Sequence, residues 1–396
     1  MNRTLYVALT VASSLVFGCD DRREADASSD GGSAGASVTT AGSPGSGGSD
    51  GTGAERGLAE SHADYFPIGA AVGSWHLDNL SDVLDRDFNH LTAENAMKMA
   101  DIQPAEGSWN TAEADRIADF ARDRGWKLTG HTLLWYRQTP AWMFEGITKG
   151  DSASLETLKG RLKAHIDTMI ERYADVVDNW DVVNEAISDQ SGKTYRDGAE
   201  GSTWYDLFGS EEYIYWAYKY AYDALEARQA GSAGGKLYYN EYTATVKVDK
   251  ILTLLGSLEQ QGIHVDGVGF QSHENLTWPS TPDLQTAIDR FVAAGYKVKI
   301  SELDVTVYSD YSTGSFVPQP EVTFTPELEA TQAERYRRLF ELYRQNRDAI
   351  TSVTFWGISD DRTWLDSEPV AGRNDHPLLY DDAHEPKAAR ASIMDF

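Results

Sequence analysis

The sequence predicts a single (β/α)8 TIM barrel, preceded by a signal peptide and a disordered linker. Three observations predict it. The chain has 396 residues, 41% of them hydrophobic, enough for one large core. From residue 61 onward, eight short apolar runs alternate with longer amphipathic stretches, the pattern of parallel strands joined by helices. Nearly every run also ends on polar groups, and a closed parallel barrel gathers all such ends on one face.

Residues 1–19, MNRTLYVALTVASSLVFGC, carry Arg3 and then an apolar run over 5–17 that is too short to span a membrane. The segment Val16-Phe17-Gly18-Cys19 resembles a bacterial lipoprotein signal, in which cleavage precedes a Cys that is then lipidated. The expectation is export from a bacterium, with lipid on Cys19 as the sole membrane attachment at the cell envelope or surface, or secretion otherwise. Cys19 is the one cysteine, so no intrachain disulfide forms. Residues 20–60 are rich in Gly, Ser, Ala and Asp and read as a flexible linker. This stretch holds eight acids and three bases, so most of the net charge of −27 belongs to the domain at 61–396. A surface so acidic repels phosphate backbones and excludes nucleic acid as a partner. The chain is expected to act as a monomer.

The strand candidates are 66–72, 90–95, 127–135, 176–185, 236–242, 267–273, 297–305 and 352–360. Between them lie helical patterns such as ADRIADFARDRG, LKGRLKAHIDTMIERYAD and AERYRRLFELYRQNRDAI, several stopping near Gly or Asn. The second strand ends TAEN, the third GHTLLW, the fourth VVNE and the fifth YYNEY. The sixth ends GFQSH, the seventh ISELD and the eighth FWGISDD. A single polar tip is ordinary loop chemistry. Seven together mark the face where such barrels carry active sites.

Two acids stand on that rim, Glu185 after the fourth strand and Glu302 after the seventh. A buried strand gains nothing from an Asn-Glu tip unless it is used, because each group must be compensated for lost water. Two carboxylates facing each other can hydrolyse a glycosidic bond, one as acid on the leaving oxygen and one on the anomeric carbon. Such a pair works only if its two pKa values diverge. Eleven Trp and twenty Tyr would fill a core, but flat rings also stack on sugar faces.

The motifs TAENAMK, GHTLLW, WDVVNE, YYNEY, GVGFQSH, SELD and WGISDDRTW, in this order over residues 66–387, resemble glycoside hydrolase family 10, the retaining endo-β-1,4-xylanases. The resemblance implies the barrel fold, hydrolysis of internal bonds of xylan or a related β-1,4-linked polysaccharide, and no cofactor or metal. It implies Glu185 as acid/base, Glu302 as nucleophile, and Asn184 on the 2-hydroxyl of the sugar at the cleavage point. His273 and Asp304 would orient Glu302 and keep it ionised. Glu94, Asn95 and Lys98 match residues that bind sugar on the non-reducing side. His131, Trp135 and Gln138 match the lining of the cleavage subsite. Trp356 and Trp364 match the rings that wall the groove, while Gln271 and Tyr242 are expected to line it. Trp180 reads as packing.

The chain departs from the family pattern in three places. Tyr136 stands where His is usual, and Glu241 and Thr243 replace Asp and Asn in the fifth strand's tip. The first substitution removes a titratable neighbour of Glu185, so a displaced pH optimum is expected, to be checked on Tyr136→His. The other two are expected to alter subsites beyond the cleavage point.

Two other classes compete. A metal-dependent barrel hydrolase would carry His-x-His after its first strand, where this chain has IGAAVG. A non-catalytic sugar-binding barrel would lack one of the two glutamates, and both are present. Within the enzyme class the alternative is a broader β-1,4-glycanase acting on xylan and glucan, decided by whether Lys98 and Trp356 crowd the hydroxymethyl arm of glucose.

Overall fold

The computed structural model describes residues 56–228, 235–310, 316–394 and 396. The leader, Cys19 and nearly all of the linker lie outside the described residues.

Nine parallel strands form the sheet: β1 (Ile68–Val72), β2 (His90–Ala93), β3 (Lys127–Trp135), β4 (Val177–Asn184), β5 (Lys236–Glu241), β6 (Gly267–Phe270), β7 (His273–Asn275), β8 (Lys297–Thr306) and β9 (Ile350–Phe355). Eight of them close the barrel in the order β1-β2-β3-β4-β5-β6-β8-β9, with β9 pairing back to β1 and β6 to β8. The eight expected strands are all present. The sixth is split, however: after β6 the chain turns through Ser272, a non-glycine residue at φ 57°, and resumes as β7. That turn carries His273 into register with Asp304 of β8. The eighth strand begins at Ile350 and ends at Phe355, so the polar SDD tail is not strand.

The helices form where the apolar spacing repeats on one face. Ala112–Arg124 buries Ala114, Ile117, Ala118 and Ala121 and stops at Gly125, which takes the left-handed conformation at φ 68°. Ser152–Tyr173 is started by Asp151, whose carboxylate accepts from the Ser154 N–H at 2.8 Å. Pro326–Gln345 is capped in the same way by Thr325. Inside the barrel wall, Gly130 faces Trp180. A Cβ there would meet the indole 2.1 Å away, so only glycine lets Trp180 pack, and Trp180 is fully buried.

The folded body starts earlier than residue 61. Helix Leu58–Ser61 buries Leu58 completely, and the Leu58 N–H donates to Asp87 at 3.1 Å. Asp87 also receives both Nε and Nη2 of Arg390, each at 2.8 Å, from the C-terminal helix Ala388–Met394. One buried carboxylate thus ties both ends of the domain to the barrel. Composition placed Leu58 in the linker because its neighbours are Gly, Ala and Glu.

Candidate active site

Glu185 is the first residue after β4 and takes φ 56°, a conformation non-glycine residues adopt rarely and mostly where surroundings enforce it. Its N–H donates to the Asn240 carbonyl at 2.9 Å, so β5 holds the turn in place. Its Oε2 accepts from Trp135 Nε1 and its Oε1 from Gln271 Nε2, both at 2.9 Å. Glu302 lies within β8 rather than after it, where the pairing with β9 slips between Ile300 and Leu303. Such an irregularity re-aims a side chain next to a site.

Two amides join the acids. Asn240 Nδ2 donates to Glu302 Oε1 at 2.6 Å and to Asn184 Oδ1 at 3.0 Å. Gln271 Nε2 donates to Asn184 Oδ1 at 3.2 Å as well as to Glu185. Glu185, Gln271, Asn184, Asn240 and Glu302 therefore form one continuous network across the barrel mouth. Both acids are buried, at 9% and 4% exposure, yet every carboxylate oxygen has a donor.

His273 completes the Glu302 side. Its Nδ1 bonds Asp304 Oδ2 at 2.8 Å and its Nε2 bonds Glu302 Oε2 at 3.2 Å. Burial pushes Glu302 up, but the bonds from His273 and Asn240 and the nearby His131 ring outweigh it and hold it below its ordinary value. Burial likewise drives His273 down, but the Asp304 and Glu302 carboxylates reverse this and lift it to about 10. The site thus keeps an imidazolium between two anions at neutral pH.

That arrangement has a pH signature. A base that is stronger folded, at about 10, than its ordinary 6.5 stabilises the fold fully below pH 6.5. The contribution fades as pH rises toward 10. The gap in Tm between wild type and His273→Gln should be widest below pH 6.5 and should close toward pH 10. A constant gap over that range would show that His273 is neutral in the fold.

Most of the remaining expected residues pack against one another beside the two acids. Lys98 donates to Asn95 Oδ1 at 2.9 Å and lies 5.3 Å from the Trp135 ring and 5.9 Å from the Trp356 ring. Asn95 in turn donates to Glu94 at 3.2 Å. His131 meets Trp356 edge-on at 5.3 Å. Trp364 donates its Nε1 to Asp304 Oδ2 at 2.9 Å and packs 4.7 Å from His273. Gln138 is exposed and donates to Asp101 at 3.2 Å. Tyr242 bonds Asp189 and Arg196, the latter a donor to the Glu185 carbonyl.

Two residues of the site, Asp181 and Arg196, carried no local signal, and Glu241 carried a misleading one. Asp181 holds His131 Nδ1 at 3.1 Å and pairs with Lys299 at 2.8 Å inside the barrel. Arg196 donates Nε to the Glu185 carbonyl at 3.2 Å and spreads its guanidinium 4.6 Å from the Tyr136 ring centre. A permanent cation therefore stands against the ring that replaces the usual imidazole. Glu241 is fully buried, where it accepts from Lys247 at 3.0 Å and from the Tyr239 hydroxyl at 2.5 Å. It braces the Ala186–Ile187 backbone through an Ile187 N–H bond of 3.3 Å and lines no subsite. Burial lifts its carboxyl to about 7 against the pull of Lys247.

This barrel has close parallels. The family model described as glycosyl hydrolase family 10 matches residues 57–396. Endo-1,4-beta-xylanase B of Paenibacillus barcinonensis is 40% identical over 332 residues, covering 83% of this chain and 95% of the relative. Endo-1,4-beta-xylanase A of Caldicellulosiruptor saccharolyticus is 41% identical over 346 residues, covering 86% and 95%. The crystal structure of an endo-1,4-beta-xylanase from Caldicellulosiruptor owensensis superposes with a TM-score of 0.77 at 38% identity, covering 86% of this chain and all of that one. The match runs through every strand of the barrel and both acids at its mouth: the chain belongs to glycosyl hydrolase family 10.

Proposed function

We propose that the protein is an endo-1,4-β-xylanase that cleaves internal bonds of xylan by double displacement with retention, Glu302 acting as nucleophile and Glu185 as general acid/base. The network joining the two carboxylates through Asn184, Asn240 and Gln271 carries this reading. It fixes two buried acids in one mouth and gives them different company. Glu302 faces an imidazolium, which keeps it charged and ready to attack. Glu185 faces an indole N–H and an amide, and among the described residues no cation is bonded to its carboxyl group.

In the first step a Glu302 oxygen bonds to the anomeric carbon as the glycosidic C–O bond breaks. The Glu185 carboxyl proton goes to the departing oxygen. In the second, Glu185 takes a proton from water, whose oxygen displaces Glu302 from the same carbon. Two inversions restore the starting configuration. Asn184, fixed by two amide donors, presents its side chain to the 2-hydroxyl of the sugar at the cleavage point. Lys98, His131, Trp135, Trp356 and Trp364 hold that sugar and its non-reducing neighbours, with Glu94 and Asn95 supporting Lys98.

Residues 61–396 with an added 57–60 should release short xylo-oligosaccharides from xylan and little from soluble β-glucan. Comparable release from both would keep the mechanism and broaden the substrate. Release from neither would overturn the assignment.

The leader supports a second proposal: Cys19 is lipidated after cleavage, and the enzyme, a monomer, is held at the cell envelope. Metabolic labelling with a tagged fatty acid should mark the wild-type chain and leave Cys19→Ala unmarked.

A further inference from the structure

The turn after β4 carries the proton donor of the reaction, so its backbone decides where that donor stands. Glu185 at φ 56° keeps that conformation only where its surroundings enforce it. Two residues do so. The Tyr239 hydroxyl, on β5, accepts the Ala186 N–H at 2.9 Å and the Ile187 N–H at 3.0 Å. Arg196 donates Nε to the Glu185 carbonyl at 3.2 Å and its backbone N–H to the Ala186 carbonyl at 2.8 Å.

Behind these two residues, four buried charges complete a circuit. Tyr239 donates to Glu241 at 2.5 Å, and Glu241 accepts from Lys247 at 3.0 Å. Lys247 pairs with Asp189 at 2.8 Å, and Asp189 with Arg196 at 3.0 Å. Arg196 then returns to the Glu185 carbonyl. The signs alternate along the circuit, and no charged member has a side chain more than 16% exposed. The centre of the Tyr242 ring lies 3.6 Å from the Lys247 ammonium and 5.9 Å from the Arg196 guanidinium, so one aromatic ring serves both cations. Lys247 comes from helix Ala244–Gln260, which begins directly after Thr243 at φ 49°.

Stability does not call for such a circuit. A buried ion pair often contributes no more than apolar side chains of the same volume. Apolar side chains, however, cannot hold N–H and carbonyl groups of one turn together. The carbonyls need a donor whose place Asp189 fixes, and the N–H groups need a hydroxyl whose place Glu241 fixes. Charged partners with every bond made give the placement that a working site requires.

We propose that Glu241, Lys247, Asp189 and Arg196, acting with Tyr239, form a positioning device for the acid/base: they hold the turn so that the Glu185 carboxyl reaches the departing oxygen. They are positioning residues, acting through the backbone of the turn. The inference rests on the catalytic reading above.

The test separates bond cleavage that needs the proton from bond cleavage that does not, using kcat/KM because it reports the first step. Xylohexaose needs the acid, whereas 2,4-dinitrophenyl β-xylobioside does not. Glu241→Gln and Tyr239→Phe should each lose about 30-fold on xylohexaose, since a catalytic group misplaced by about 1 Å costs up to about 10²-fold. Each should stay within about threefold of wild type on the dinitrophenyl substrate. Wild-type values on xylohexaose in both variants would overturn the proposal. Equal losses on the two substrates would also overturn it, by showing general damage to the mouth. Tyr239→Phe deletes a single oxygen and carries the test if Glu241→Gln fails to fold. Glu185→Ala is the reference. If it too loses equally on both substrates, the catalytic reading fails and this inference with it. If Glu185→Ala is selective and the other two variants are not, the positioning device alone is overturned.

Discussion

Glu302→Ala should abolish xylan hydrolysis, lowering kcat by about 10⁴- to 10⁶-fold, while xylohexaose still binds within a few-fold of wild type. The nucleophile contributes a covalent bond in the transition state and only a hydrogen-bonded neighbour in the ground state, so its loss falls on kcat. Steady-state rates with xylan and calorimetric titration with xylohexaose separate the two terms. Glu185→Ala should behave differently. Its loss on xylan should be large, because an alkoxide leaving group needs the proton. On an aryl xylobioside with a dinitrophenolate leaving group the first step needs no acid, and its rate should fall far less. The alkaline limb of the pH–rate profile should vanish with Glu185. Equal losses on both substrates would show that Glu185 is not the acid. Near-full activity in Glu302→Ala would remove the nucleophile assignment.

The meeting of the two acids was legible because strand tips in a parallel barrel share one face, so polar endings of separate apolar runs report a single site. The strands themselves followed from apolar runs of the right length. What sequence could not show lies where distant residues meet or where backbone conformation breaks a rule. Ser272 at φ 57° splits β6 from β7 and aims His273 at Glu302, and a serine leaves no compositional mark of that turn. Tyr136 read as the loss of a cation near the acid. Arg196, 60 positions later, supplies one from a loop whose path only the fold reveals. Glu241 read as a subsite residue because it sits in the YYNEY tip, yet strand alternation turns it away from the cleft and under the Ala186–Ile187 backbone.

The barrel interior makes the same point with the second large effect. In KVKISELD, Lys297 and Lys299 look alike. Lys297 is exposed, whereas Lys299 points into the barrel at 1% exposure. There it pairs with Asp181 at 2.8 Å and donates to Asn179 at 2.6 Å, 120 residues away in the chain. Asp181 is held below its ordinary value despite full burial, because Lys299 and His131 favour its charged form. Lys299→Met should therefore cost about 3–5 kcal/mol of stability, since it leaves a buried carboxylate without its cation. Thermal unfolding should show a drop of several degrees. Activity should fall as well, because Asp181 fixes the His131 ring that packs on Trp356. Adding Asp181→Asn should restore much of the stability by removing the stranded charge, but not the activity, because a neutral amide holds the imidazole less firmly. If the double variant is as unstable as the single one, the cost comes from lost packing around the lysine stem, and the ion pair is not what holds the interior together.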